Sequence, residues 1–340
     1  MSAQPDFPRS RKAAPVRLGF LGLGWIGRKR LDAVAGSALI EVVGLSDAAS
    51  DRATAAVERY PDAVVARDLE ALLSCGVDGV VIATPNACHA EQALACLERG
   101  VPVFCQKPLA TDAAATARVI AAARAADRLL AVDFCYRHVQ GMSELRQRLA
   151  AGELGQLLSI DLQFHNAYGP DKAWCRDRRL AGGGCMLDLG VHLLDLALWL
   201  SNAEQMQLAS AQLFERGRRV QTGDRAIEDL AIVELRRPDD AIVRLACSWH
   251  AHIGRGAVIA MRLLGTKGGA YWRNVDGSFY DFSLDATHGD CSQRLGAPPD
   301  DWGGRALLSW AARLQGDSSF DPSVQLIERG ATLIDEIYRA

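Results

Sequence analysis

The sequence predicts two joined folds: an α/β unit on a doubly wound parallel sheet, then an α+β unit on a largely antiparallel sheet. Three observations carry this. A short apolar strand, Val16–Leu21, leads into Gly22, Gly24 and Gly27, spaced as GxGxxG, and then into a helical segment. Strands and helices go on alternating for some 120 residues, as in a parallel sheet with helices on both faces. From about Leu208 come several long strands without helices between them, as in an antiparallel sheet. At 340 residues the natural division is into two domains. We place a tail at 1–14, a first domain at 15–137, a second at 138–322 and a closing helix at 323–340.

In the first domain the helix after the glycines runs to about Ala35, and a second strand covers Ile40–Leu45. Gly22 permits the tight turn, Gly24 lets backbone approach a pyrophosphate, and Gly27 lets helix and strand pack closely. The diphosphate would lie at the helix N-terminus among free N–H groups. Gly22, Gly24, Trp25, Ile26 and Gly27 are therefore candidate cofactor-binding residues. Asp47 follows the second strand, 20 residues past Gly27. A carboxylate there suits the ribose hydroxyls and repels a 2′-phosphate, which favours NAD over NADP. The alternative is that Asp47 caps the helix starting near Ala48, and Arg52 leaves NADP possible.

Strands at Val64–Ala66, Gly79–Ala83, Val101–Phe104 and Leu129–Phe134 then alternate with helices at Asp68–Leu73, His89–Arg99 and Thr111–Ala126. Ligands gather beyond the carboxyl ends of such strands. Thr84, Pro85 and Asn86 project there, as do Gln106, Lys107 and Pro108, and Tyr136 and Arg137. Lys107 is held in extended backbone by the proline after it. It could hydrogen-bond a substrate oxygen, although most lysines are solvated surface charges.

In the second domain a helix ends at Gly152 and a long alternating strand spans Leu157–His165. A loop, Asn166–Gly184, carries Tyr168, Asp171, Trp174 and Arg176. Strands follow around Leu208–Arg216, Asp229–Arg236, Ala241–His250, Val258–Leu264 and Ala270–Val275, with a turn at Gly265–Gly269. The last helix, Val324–Tyr338, is amphipathic and suited to cover the first domain.

The helix after Gly182–Gly184 is apolar almost throughout, with Leu187, Leu189, Val191, Leu193, Leu194, Leu196, Leu198 and Leu200. Its exceptions are Asp188, His192 and Asp195, at i, i+4, i+7, which a 3.6-residue period puts on one stripe. Ionisable groups on a buried helix are expensive unless paired. A carboxylate one turn before an imidazole fixes its tautomer, as a general acid/base requires. A satisfied internal ion pair is the other reading.

Composition narrows the classes. A net charge of −3 offers no basic field for nucleic acid. No apolar run approaches the roughly 18–20 residues of a membrane span, and the N-terminal tail lacks the apolar segment of a secretory signal. Nine scattered cysteines without CxxC pairing indicate reduced thiols in the cytoplasm, and no disulfide scaffold or structural zinc.

Several segments together resemble the glucose–fructose oxidoreductase/inositol dehydrogenase (Gfo/Idh/MocA) family. They are Gly22–Gly27, Ala83–Asn86 with His89, Gln106-Lys107-Pro108, Phe134–Arg137, Gly152–Gly155, the helix from Gly182 to Asp195, and Gly265–Gly268, all in family order. The resemblance implies a Rossmann domain followed by an open-faced sheet domain that often mediates oligomerisation, here into a dimer or tetramer. It implies NAD(P) chemistry on sugars, cyclitols and related polyols, with Lys107 as the catalytic lysine. It also implies that Asp188 and His192 face the substrate carbon, and that Thr84, Pro85, Asn86, His89 and Gln106 lie at the cofactor. Asp195 reads as structural. One departure is visible: the family usually has Glu before the lysine, and Gln106 removes that negative charge from beside Lys107.

The expected reaction passes hydride between nicotinamide and a secondary alcohol carbon. His192, oriented by Asp188, takes the hydroxyl proton while Lys107 bonds the same oxygen; the two roles could be exchanged. Tyr136, Arg137, His165, Asn166, Tyr168 and Trp174 are candidate substrate-pocket residues, with packing at the domain junction as the alternative. An NAD-dependent glycosidase working by transient oxidation and a non-catalytic sugar- or NAD-responsive regulator are the competing functions.

Overall fold

The computed structural model describes residues 14–202, 205–221 and 226–340. The tail expected over 1–14 lies outside them, apart from Ala14. The first sheet is built from β1 (Val16–Leu21), β2 (Ile40–Ser46), β3 (Val64–Val65), β4 (Gly79–Ile82), β5 (Val103–Cys105) and β6 (Leu130–Val132). All are parallel, in the order β3-β2-β1-β4-β5-β6. The strand order reverses between β1 and β4, which opens a ligand crevice beyond their carboxyl ends. Between the strands run α1 (Trp25–Ala33), α2 (Ser50–Val57), α3 (Leu69–Leu73), α4 (Asn86–Glu98) and α5 (Ala113–Ala125). Every residue of β4 and β5 is buried, as expected for strands covered on both faces. α5 starts where the Asp112 carboxylate accepts the Ala115 N–H at 2.8 Å, an N-cap.

After α6 (Met142–Ala150), the second sheet begins with β7 (Leu157–Asn166). The stretch expected to be all loop contains a 3-10 turn at Ala173–Arg176 and the short α7 (Arg178–Ala181). A π turn, Met186–Gly190, then runs into α8 (Val191–Ser201). The remaining strands are β8 (Gln207–Glu215), β9 (Arg218–Arg219), β10 (Leu230–Arg236), β11 (Ile242–Ser248), β12 (Ala257–Gly265), β13 (Gly269–Asn274), β14 (Phe282–His288) and β15 (Cys291–Gly296). Their order is β15-β14-β13-β12-β7-β11-β10-β8-β9, antiparallel except for the β7–β11 pair. Ile160, Leu162 and Phe164 of β7 are buried on the side of α8. The alternate residues Ser159, Asp161 and Gln163 stand on the other face, beside Arg244 and Arg262. The sheet is thus open-faced.

β14, β15 and α9 (Arg305–Gly316) are additional to the elements read from the sequence. α9 lies against the first sheet: Leu307, Trp310, Ala311 and Leu314, spaced i, i+3, i+4, i+7, join Val16, Leu18 and Phe20 in one core. Gly79 has no side chain because the Trp310 ring takes the space, 2.6 Å from where a Cβ would be. α10 (Gln325–Arg339) packs on α5 and α8.

One expectation needs correction. The segment Arg178–Ser201, which runs from α7 through a glycine bend and the π turn to the end of α8, is long and apolar enough to cross a membrane, but 89% of its apolar window is buried inside the protein. It is a core segment.

Candidate active site

The glycine loop has the shape of a phosphate cradle. Gly22 has φ +91°, and a Cβ there would lie 2.6 Å from the Ala83 carbonyl group. A Cβ on Gly27 would lie 2.0 Å from the Gly22 carbonyl oxygen, so strand and helix touch at this point. Nothing lies within 4 Å of a Cβ on Gly24, and the open space sits at the N-cap of α1. A dinucleotide diphosphate fits there. Trp25 stands 55% exposed at the mouth of this space, and Ile26 is half-buried. Asp47 braces the loop: one carboxylate oxygen accepts the Leu23 N–H at 2.6 Å and the other the Ala49 N–H at 2.8 Å. The Arg52 guanidinium is 3.6 Å away. The N-cap of α2 is Ala49, and each Asp47 oxygen keeps a lone pair beyond its backbone bond.

Other residues expected at the cofactor serve to tie loops together. The Thr84 hydroxyl donates to the Gln92 side-chain oxygen Oε1 at 2.6 Å, and Pro85 is the N-cap of α4. Asn86 reaches out of the first domain and donates to the Ala181 carbonyl at 2.9 Å. His89 is buried, its ring nitrogens 2.7 Å from the Pro108 carbonyl and 2.8 Å from that of Thr84. It joins two loops of the crevice and, at 1% exposure, has no face left for a cofactor. The Gln106 amide donates to buried Asp133, whose same oxygen also accepts from Arg30 of α1. Asp133 thus places a buried carboxylate beside the Gln106 amide.

The centre of the site joins the two domains. Lys107 Nζ donates at 2.9 Å to Asp188 Oδ1 and at 2.7 Å to the Asp188 carbonyl oxygen. Trp249, at the end of β11, donates its indole N–H to Asp188 Oδ2 at 3.2 Å. The expected orientation of His192 by Asp188 is not present. Both carboxylate oxygens are engaged elsewhere, and His192 Nδ1 is buried without a partner among the described residues. The π turn is the cause. The Val191 N–H reaches back five residues to the Met186 carbonyl, which rotates Asp188 out of a 3.6-residue stripe.

Burial first, then the charges of Lys107 and Arg30, hold the His192 imidazole well below its ordinary pKa. His192 is therefore a neutral base in the physiological range. Tyr136 packs its ring 5.0 Å from that of His192 and 5.5 Å from that of Trp302, and burial pushes its phenol well up.

Of the other candidate pocket residues, Arg137 is committed elsewhere. It grips Asp195 with two nitrogens and lies over the Phe134 and Trp199 rings, so Asp195 is structural as expected. His165 bonds the Ser248 hydroxyl at 2.8 Å, and strand alternation turns it to the face away from α8. The same alternation puts Asn166 on the side of Phe164, whose ring is 6.4 Å from that of His192. Asn166 Oδ1 is buried with no hydrogen-bond partner among the described residues. Tyr168 is 55% exposed on the loop, its ring 5.9 Å from that of Phe279, and Trp174 is half-buried in the 3-10 turn. Among the described residues no cluster of His, Cys, Asp and Glu could hold a metal ion. Trp249, Asp133 and Arg30 escaped the sequence reading, because each acts across the fold on a residue that was found.

A switch-point crevice with a glycine cradle, opening onto a lysine, a carboxylate and a neutral imidazole, defines an NAD(P)-dependent oxidoreductase. Comparison with known proteins agrees. The family description "Oxidoreductase family, NAD-binding Rossmann fold" matches residues 16–134, and "GFO/IDH/MocA C-terminal domain" matches residues 142–271. The chain belongs to the Gfo/Idh/MocA family. It is 29% identical over 318 residues to an inositol 2-dehydrogenase of Acidothermus cellulolyticus, covering 86% of this chain and 89% of that one. It is 26% identical over 277 residues to the D-glucoside 3-dehydrogenase of Escherichia coli K12, covering 76% and 77%. Among solved structures, a levoglucosan dehydrogenase in complex with NADH and levoglucosan superposes with a TM-score of 0.81 at 21% identity, covering 95% and 96%.

Proposed function

We propose that this protein interconverts a secondary alcohol and a ketone on a sugar, cyclitol or related polyol, with His192 and Lys107 handling the proton. The observation that carries the reading is the pairing of a neutral buried imidazole with an ammonium fixed by Asp188. The bound nicotinamide supplies the hydride acceptor or donor. His192 is suited to take the hydroxyl proton, because its neutral form prevails near pH 7. Lys107, held by two oxygens of Asp188, is suited to donate to the substrate oxygen and stabilise its developing negative charge. Unpartnered Asn166 Oδ1 offers an acceptor for a neighbouring hydroxyl. Relatives acting on inositol and on glucosides support a polyhydroxylated substrate.

NAD is the favoured cofactor, through the spare lone pairs of Asp47; Arg52 is the group that would admit NADP. We infer self-association through the open sheet face, where Ile232 and Leu264 stand about half exposed. We also infer a reducing compartment from nine scattered cysteines without CxxC pairing.

A screen of sugars, inositols and their keto forms for NAD(H) absorbance change tests the reading. Lys107→Ala and His192→Ala should each abolish substrate-dependent NADH formation while NAD still binds. Unimpaired turnover in both variants would sink the assignment.

A further inference from the structure

The glycine run ahead of α8 has a cause that the chemistry does not use. A Cβ on Gly183 would lie 2.0 Å from the Tyr338 hydroxyl, and one on Gly184 would lie 2.0 Å from the Glu228 carbonyl oxygen. The two side chains that crowd the glycines also bond to each other and to the run. Glu228, 2% exposed, accepts the Gly184 N–H at 3.0 Å, the Met186 N–H at 2.9 Å and the Tyr338 hydroxyl at 2.8 Å. The Cys185 N–H goes to the Glu228 backbone carbonyl at 2.9 Å. These N–H groups head the π turn, where a helix has no internal acceptors of its own. Tyr338 comes from the last turns of α10, and the Arg178 guanidinium covers its ring.

Glu228 is bonded by N–H groups and a phenol, with no ion-pair partner among the described residues. A carboxylate buried in this way costs stability that an apolar residue would not. What it obtains in return is position: it fixes backbone four and two residues ahead of Asp188.

We propose that Glu228 and Tyr338 are positioning residues, a clamp on Gly183–Met186 that sets where Asp188 stands and, through it, where Lys107 stands. The glycines are the space the clamp needs, and the C-terminal helix thereby ties the active-site turn to α5 of the cofactor domain. The inference rests on the reading that Lys107, Asp188 and His192 carry the chemistry.

The full chain with Tyr338→Phe tests it, since the ring stays under Arg178 and only the hydroxyl is lost. We expect kcat to fall about tenfold, the loss of one hydrogen bond to a charged group, with KM for the sugar and the affinity for NAD little changed. The unfolding midpoint should stay near that of the parent, and amide hydrogen exchange over residues 184–188 should quicken while that of β1 does not. Glu228→Gln, which keeps one acceptor oxygen, should lie between the parent and Glu228→Ala. Parental kcat and parental exchange in both Tyr338→Phe and Glu228→Gln would overturn the proposal. So would a loss of kcat no larger than the loss of folded protein. Exchange is read without substrate, so it judges the clamp even if Lys107→Ala and His192→Ala were to show that the catalytic reading is wrong.

Discussion

Lys107 Nζ meets both the side chain and the main chain of Asp188, at 2.9 Å and 2.7 Å. A residue just beyond β5 is thereby joined to the π turn ahead of α8, and with it one domain to the other. The ammonium is thus held at the mouth of the crevice by two oxygens whose relative position the backbone sets.

Asp188→Asn separates the two bonds. The amide keeps an acceptor for Trp249 and leaves the main-chain carbonyl in place, but it removes the negative charge beside Lys107. We expect kcat/KM to fall roughly tenfold to a hundredfold, as for loss of one or two charge-assisted bonds. Combining it with Lys107→Ala should cost less than the sum of the two, because the residues act as one unit. Strictly additive losses would show that they act independently.

His192 determines a pH response whose sign can be worked out. An imidazole free in the unfolded chain takes its proton near pH 6.5, and in the folded protein burial and two nearby cations delay this to lower pH. Between those values the unfolded state binds the extra proton, so stability falls as pH drops below about 6.5. Above that pH the term is absent. For kcat/KM the acid limb due to His192 should likewise lie below pH 6.5, since the free enzyme keeps its base neutral there. Titrating the His192 ring by NMR checks both; an ordinary imidazole value would remove the argument.

The Gln106 amide donates to the buried Asp133 carboxylate, a bond that a second carboxylate could not make. Gln106→Glu should set two acids against each other around Arg30, costing about 1–3 kcal/mol. One of the two must then hold a proton in the folded state, so the loss grows as pH rises through that raised pKa and shrinks in acid. Adding Asp133→Asn should restore most of the stability. Thermal unfolding of the three variants at two pH values tests this, and an equally destabilised double variant would contradict it.

How much of this was legible follows from the kind of signal involved. The first sheet was, because strands buried on both faces are unbroken apolar runs bounded by glycines, and β1 and β2 fall within a residue of where they were read. β14 and β15 were hidden by Asp285, Ser292, Gln293 and Arg294 at the sheet's edge, where polar residues interrupt the alternation. α9 carries an apolar i, i+3, i+4, i+7 pattern at Leu307, Trp310, Ala311 and Leu314, a helical signal present in the sequence itself. The Asp188/His192 pairing went wrong for a different reason. Spacing was converted to geometry at 3.6 residues per turn, and one π turn changes which side chains face each other. His165 and Asn166 were grouped as pocket residues although strand alternation alone separates them. Glu228 and Trp249 belong to no local motif: each acts on a residue more than forty positions away.

The three glycines of the cofactor loop make different demands, and two alanine variants tell them apart. Gly24 has φ −63°, which any residue adopts, and open space where its Cβ would be. Gly24→Ala should therefore fold with an unfolding midpoint close to the parent's, yet bind NAD at least about tenfold more weakly, because the added methyl takes the place of a diphosphate oxygen. Gly27→Ala meets the Gly22 carbonyl at 2.0 Å, a backbone atom that cannot swing aside. It should cost about 1–3 kcal/mol in stability even without cofactor. Calorimetric melting with and without NAD measures both effects. If Gly24→Ala bound NAD as the parent does, the diphosphate would not lie against that residue, and the placement of the cofactor at the N-terminus of α1 would have to be given up.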